Sequence, residues 1–168
     1  MDVLFITPGN SNACYQALSE TYSAIEPPTW ALLLAESCRS AGHAVGICDA
    51  NAEQLDAITV YERIKKINPR LICFVVYGQN VNAGTVNMSG AVYLSNFLKD
   101  KNIKIPISYI GSHVQALPIK TLRDEPSIDF AFTNEGVYAL RNVLSLDKID
   151  VNDLSDIKGI VWRKDGKP

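Results

Sequence analysis

Short apolar runs alternate along the chain with longer stretches whose apolar residues recur every three or four positions. This is the pattern of strand–helix–strand units winding a parallel sheet. Five runs read as strands, at 3–7, 45–48, 71–76, 107–110 and 130–132. Most are apolar throughout, as strands covered on both faces should be. Between the first two, Pro27-Pro28 can open a helix, because proline's fixed φ and missing N–H do no harm in a first turn. Trp30, Leu33, Leu34, Cys38 and Ala41 follow at helical spacing, and Gly42 supplies the left-handed residue that ends the helix before His43. A second helix is expected through Leu55, Ile58, Ile64 and Ile67, ending before Asn68-Pro69. A third is expected over 84–99 with Ala91, Leu94 and Leu98 inward, a short fourth over 118–123, and a fifth after Glu135 through Ala139, Leu140, Val143 and Leu144. The fold class that follows is α/β: a doubly wound, five-stranded parallel sheet with helices on both faces, flavodoxin-like or Rossmann-like.

After about Leu146 the pattern changes. An Asp-rich stretch at 147–156 precedes Ile157 to Arg163, which alternates as a new strand, and Asp165-Gly166 is a hairpin turn signal with no return strand behind it. The expected division is an α/β domain over 1–146, then a linker and first strand over 147–168 leading into a further C-terminal domain of a longer polypeptide.

Composition narrows the function classes. At 168 residues and 47% hydrophobic, the chain has the length and apolar content of one globular domain. A formal charge of -2 gives no global attraction to nucleic acid or anionic lipid. No apolar run reaches the roughly 18 to 20 residues of a membrane span, and Met1-Asp2 leads straight into a strand instead of a charged leader, so a cytoplasmic protein is expected. Cys14, Cys38, Cys48 and Cys73 form no C-x-x-C pair and read as free thiols.

In such a sheet the ligand crevice lies beyond the carboxyl ends of the strands. The loops that reach it, at 8–25, 49–54, 77–87, 111–118 and 133–137, contain no Lys or Arg. The basic residues, Arg63 and Arg70 among them, fall at helix C-termini or in the opposite loops, where cations complement the macrodipole. The crevice loops carry neutral hydrogen-bonding groups and glycine. They suit a large ligand with many amides and little charge, although ordinary polar loops would look the same. A ligand held mainly by Lys or Arg to phosphates would be badly served.

Four segments then carry a resemblance. Pro27-Pro28-Thr29-Trp30-Ala31-Leu32 runs into Leu34-Ala35-Glu36, then Ala41-Gly42-His43-Ala44-Val45 and Asp49-Ala50. Asn68-Pro69-Arg70-Leu71-Ile72-Cys73 enters the third strand, Tyr109-Ile110-Gly111-Ser112-His113-Val114 with Ala116-Leu117-Pro118 follows the fourth, and Ile128-Asp129-Phe130 precedes Asn134-Glu135-Gly136. In order and spacing this text resembles the N-terminal cobalamin (vitamin B12) binding domain of cobalamin-dependent radical SAM enzymes.

The resemblance implies that cobalamin binds here and that a C-terminal domain of the same polypeptide holds a [4Fe-4S] cluster and S-adenosylmethionine. The cluster's three-cysteine motif is absent from this chain, so no catalytic residue is expected in it. The implied cofactor contacts are Pro8, Gly9 and Asn10 after the first strand, Tyr77, Gly78, Gln79 and Asn80 after the third, Gly111, Ser112 and His113 after the fourth, and Thr133, Asn134 and Glu135 after the fifth. Better-known cobalamin proteins place a cobalt-ligating histidine after the first strand; here Pro8-Gly9-Asn10-Ser11-Asn12 occupies that place, so no lower ligand is expected from that loop and no protein metal ligand is assigned. Gly111 and Ser112 stand where the family has Gly-Gly and are the expected passage for the cofactor's tail. Two other readings stay open: the same fold without cobalamin, serving as a substrate-docking or scaffold module, and a flavodoxin-like FMN-binding domain.

Overall fold

A computed structural model of the chain describes residues 1–9, 27–78, 81–152, 154–164 and 167, with backbone alone at 81–83 and 86. The elements run β1 (Val3–Thr7), α1 (Thr29–Ser40), β2 (Val45–Asp49), α2 (Ala57–Ile67), β3 (Leu71–Val75), α3 (Val81–Asp100), β4 (Ile107–Ile110), α4 (Ser112–Ala116), α5 (Pro118–Asp124), β5 (Phe130–Phe132), α6 (Val137–Leu144) and β6 (Ile160–Trp162). The sheet order is β2-β1-β3-β4-β5-β6. β1 to β5 are mutually parallel, as the apolar runs require, and β6 adds antiparallel to β5, pairing Phe130 with Trp162 and Phe132 with Ile160. The sheet therefore has six strands where five are expected. The alternating segment near 160 finds its partner on the open edge of β5, where a strand buried on one side is stable and an antiparallel addition needs no crossover helix.

Burial follows the pleat. Val3, Phe5, Leu71, Cys73, Val75, Ile110, Phe130 and Phe132 face α1 and α6, and the same layer takes in Ile149 and Leu154 from the connection to β6. Leu4, Ile6, Ile72, Phe74, Ile107, Tyr109 and Ala131 face the other way, against α2, α3 and the α4–α5 pair. Helix layers thus cover both faces, which is why the strands read as continuous apolar runs.

Two helices turn differently from the expected face. α1 buries Ala31, Leu34, Ala35 and Cys38, leaving Trp30 39%, Leu32 50% and Leu33 58% exposed. Small alanines let the helix approach the sheet closely, and the larger residues are rotated off the contact. In α2 the buried stripe is Ala57, Val60 and Ile64, and Ile58 points outward. Asp56 caps α2 by accepting from the Thr59 amide at 2.8 Å, and Asn68 ends it in the left-handed region at φ 47°. α3 and α6 bury the residues expected of them. Among the described residues no helix is long and apolar enough to cross a membrane.

Candidate functional site

The chain steps outward from β1 to β2 and then returns to lay β3 on β1's other side, so strand order reverses between β1 and β3. A crevice opens at this point, beyond Thr7 and Val75, because the two connections leave in opposite directions. Of the residues expected there, Asn10, Gln79 and Asn80 lie outside the described residues. The others can be placed.

Tyr77 follows β3 and is half-buried. Its ring stacks on Trp30 of α1 with centroids 4.4 Å apart and planes 20° apart, and its carbonyl accepts from Asn87 Nδ2 of α3 at 3.0 Å. Its hydroxyl is buried and has no hydrogen-bond partner among the described residues. Burial holds the phenol above its ordinary pKa, and the nearby Glu135 carboxylate adds to the shift, so Tyr77 stays a neutral donor at physiological pH. The structure thus brings together the loops after β3 and β5.

Gly111 ends β4 where Val76 N–H donates to the Ile110 carbonyl at 2.7 Å. A Cβ on Gly111 would lie 2.2 Å from the Val76 oxygen and 2.6 Å from its carbonyl carbon. The glycine is needed because two backbones touch. Ser112 turns its Oγ toward α3, where a Cβ on Gly84 would come within 2.1 Å of it. That hydroxyl too is buried without a partner, and so is Thr7 Oγ1 at the end of β1. His113 Nδ1 lies 3.2 Å from Thr85 Oγ1 of α3, which ties the loop after β4 to that helix.

The remaining expected residues lie at the flanks. Pro8 is buried, and a Cβ on Gly9 would lie 3.2 Å from the Ala50 carbonyl, so the start of the first loop rests on the loop after β2. Thr133 donates its N–H to the Gly159 carbonyl at 2.9 Å, Asn134 Oδ1 accepts from the Gly136 amide at 2.8 Å, and Glu135 is exposed. Gly78 is half-buried beside Tyr77.

The one arginine that reaches the carboxyl edge among the described residues is paired there. Arg63, expected to complement a helix C-terminus, instead leaves the middle of α2 to grip Glu53 of the loop after β2 with two bonds of 2.8 and 2.6 Å. That grip holds the Glu53 carboxyl below its usual range. Cys38, Cys48 and Cys73 are free and buried. Burial pushes Cys38 up to about 11 and Cys73 to about 12, so neither offers a thiolate. Cys14 lies outside the described residues. Among the described residues no three His, Cys, Asp or Glu side chains converge on a common point.

A family model, the B12 binding domain, matches residues 15–144. The chain belongs to the B12-binding domain family. A relative in Pyrococcus horikoshii, an uncharacterised methyltransferase, is 27% identical over 168 residues, which is 99% of this chain and 34% of that protein. This B12-binding domain therefore spans about a third of that relative's length. It also superposes on the radical S-adenosylmethionine methyltransferase TsrM of Kitasatospora setae, solved with cobalamin and a [4Fe-4S] cluster bound. The TM-score is 0.72 at 14% identity, over 98% of this chain and 30% of that one. The cobalamin-dependent S-adenosylmethionine radical enzyme OxsB, solved with aqua-cobalamin and S-adenosylmethionine, gives a TM-score of 0.69 at 15% identity, over 99% of this chain and 21% of that one. At such identities the two solved structures attest the fold.

The edge of this B12-binding domain fits a corrinoid. Three buried hydroxyls, of Thr7, Tyr77 and Ser112, stand at the ends of β1, β3 and β4 with no partner among the described residues. An unpaired buried hydroxyl is costly, and a ligand rich in amide carbonyls would supply acceptors for them. Trp30 and Thr7 are absent from the sequence-based site. Trp30 is legible in the sequence as an apolar residue at helical spacing and as part of the Pro27–Leu32 segment of the resemblance, and Thr7 as the end of a strand.

Proposed function

We propose that this B12-binding domain holds cobalamin against the carboxyl edge of its sheet and works within a longer polypeptide whose further domain carries a [4Fe-4S] cluster and S-adenosylmethionine for methyl transfer. The observation that carries the reading is the family match across 15–144, on a fold shared with two cobalamin-bound enzymes. When bound, the corrinoid supplies a cobalt centre able to take up and give away a methyl group.

The chain's own residues bind and orient. Tyr77, Thr7 and Ser112 offer hydroxyls to the neutral side-chain amides of the macrocycle and its tail. Gly9, Gly78 and His113 line that rim; Asn10, Gln79 and Asn80 follow β1 and β3 in the sequence and are polar groups of the same loops. Thr133, Asn134 and Glu135 stand at the far side. No histidine occurs in the first loop at 8–25, so that loop would offer no imidazole to a bound corrinoid. A soluble cytoplasmic setting, with no nucleic-acid or membrane partner, accords with the net charge of -2 and with the free buried thiols.

Titration with hydroxocobalamin, followed by visible absorbance, tests the reading. Saturable spectral change at stoichiometric protein is expected. An unchanged spectrum with cobalamin well in excess would instead favour a docking or scaffold module. Retention of FMN with refusal of cobalamin would favour the flavodoxin-like alternative.

A further inference from the structure

Trp30 and Tyr77 form a unit that the family match does not assign. Trp30 enters α1 just after Pro28, off the stripe of Ala31, Leu34, Ala35 and Cys38 that anchors the helix to the sheet. It is 39% exposed and spends its ring on Tyr77 instead of on the core. Tyr77 is thereby clamped from two sides, by the indole from α1 and by Asn87 Nδ2 on its carbonyl from α3. The indole lies along the phenol ring, and the hydroxyl is buried with no partner among the described residues.

A buried hydroxyl that meets no acceptor among the described residues has lost water and is open to an acceptor brought by a ligand. We infer that Trp30 is a positioning residue that presets the Tyr77 hydroxyl to donate to a neutral carbonyl acceptor, an amide of the corrinoid, at the β1/β3 switch point. Glu135 lies close enough for its charge to act on the phenol, which disfavours an anionic acceptor such as a phosphate oxygen and leaves the neutral amide. The inference rests on the cobalamin reading and adds to it the residue that orients the donor and the class of group that accepts.

The test compares wild type with Tyr77→Phe, Trp30→Ala and Trp30→Phe, each titrated with hydroxocobalamin and melted without ligand. Tyr77→Phe should weaken binding about tenfold, the size of one lost neutral hydrogen bond. Its ligand-free melting temperature should stay level or rise by about 2–4 °C, because an unpaired buried hydroxyl has been removed. Trp30→Ala should weaken binding by a similar factor, and Trp30→Phe, which keeps an aromatic face, should bind within about twofold of wild type. A Tyr77→Phe protein that binds like wild type, or that melts several degrees lower, overturns the inference, since the hydroxyl would then be idle or structural. If wild type binds and all variants bind alike, the inference alone fails. If wild type does not bind, the cobalamin reading falls and takes the inference with it.

Discussion

The two ends of the sheet are built on opposite principles. At the amino end, several charged groups bind across elements. Arg70 pairs with Asp2 at 3.2 Å and also donates to the carbonyls of Leu144, Leu146 and Asp147, stitching β1, β3 and the exit of α6 together. Asp129 receives Lys99 Nζ at 2.9 Å and the Ile107 amide at 2.8 Å, and Arg163 donates to the carbonyls of Leu122 and Glu125. At the carboxyl end Arg63 and Glu53 pair with each other, and the hydroxyls of Thr7, Tyr77 and Ser112 have no partner among the described residues. One end ties its elements together with ion pairs and side-chain-to-carbonyl bonds, and the other carries hydroxyls at three strand ends that meet no partner among the described residues. Thr121 Oγ1, Trp162 Nε1 and Arg163 Nε, in α5, β6 and the residue after it, also lack a partner among the described residues.

The contrast can be broken most forcefully at Gly111, a carboxyl-end residue packed against the Val76 backbone. Gly111→Ala should cost about 3 kcal/mol, because the new methyl meets the Val76 backbone and no side chain can rotate away. A urea midpoint equal to wild type would show that the β3–β4 contact is softer than it looks. Arg70→Ala comes next, at about 2 kcal/mol of stability, with cobalamin affinity unchanged because the residue serves only the amino end. A loss of affinity at full folding would erase the division between the ends.

Ser112→Ala should show the opposite sign pattern. Stability should hold within about 0.5 kcal/mol or rise, while cobalamin binding weakens several-fold in the absorbance titration. The smallest expected effect is in acid. The Ala44 amide and Arg70 hold the Asp2 carboxyl below its ordinary value of 3.8. A depressed carboxyl contributes stability that is present above the unfolded value and is lost as pH falls through the folded one. Wild type should therefore lose up to about 1 kcal/mol between pH 5 and 2 that Asp2→Asn does not lose, read from urea midpoints.

Much of this architecture was legible because strands covered on both faces must be apolar at every position, and β1, β4 and β5 begin and end where their apolar runs do. The face of α1 was not. Trp30, Leu33 and Leu34 satisfy helical spacing as well as Ala31, Leu34 and Ala35 do, and only the tight approach of helix to sheet selects the alanines. The strand character of the segment near 160 could be read, but not its partner, since pairing on the edge of β5 is a tertiary choice. At the site, the glycines were visible as places of close approach. What approaches was not, because a sequence does not distinguish a ligand from the backbone of Val76. The Trp30–Tyr77 stack joins two elements far apart in the chain, and no local pattern announces it.

The hydrogen bond from Thr133 to the Gly159 carbonyl reaches further than its 2.9 Å. It fastens the loop after β5 to the approach into β6, so shortening the chain ahead of that strand would unmoor Asn134 and Glu135 and also take Ile149 and Leu154 out of the apolar layer. A version trimmed there would misreport how tightly the natural edge grips its guest.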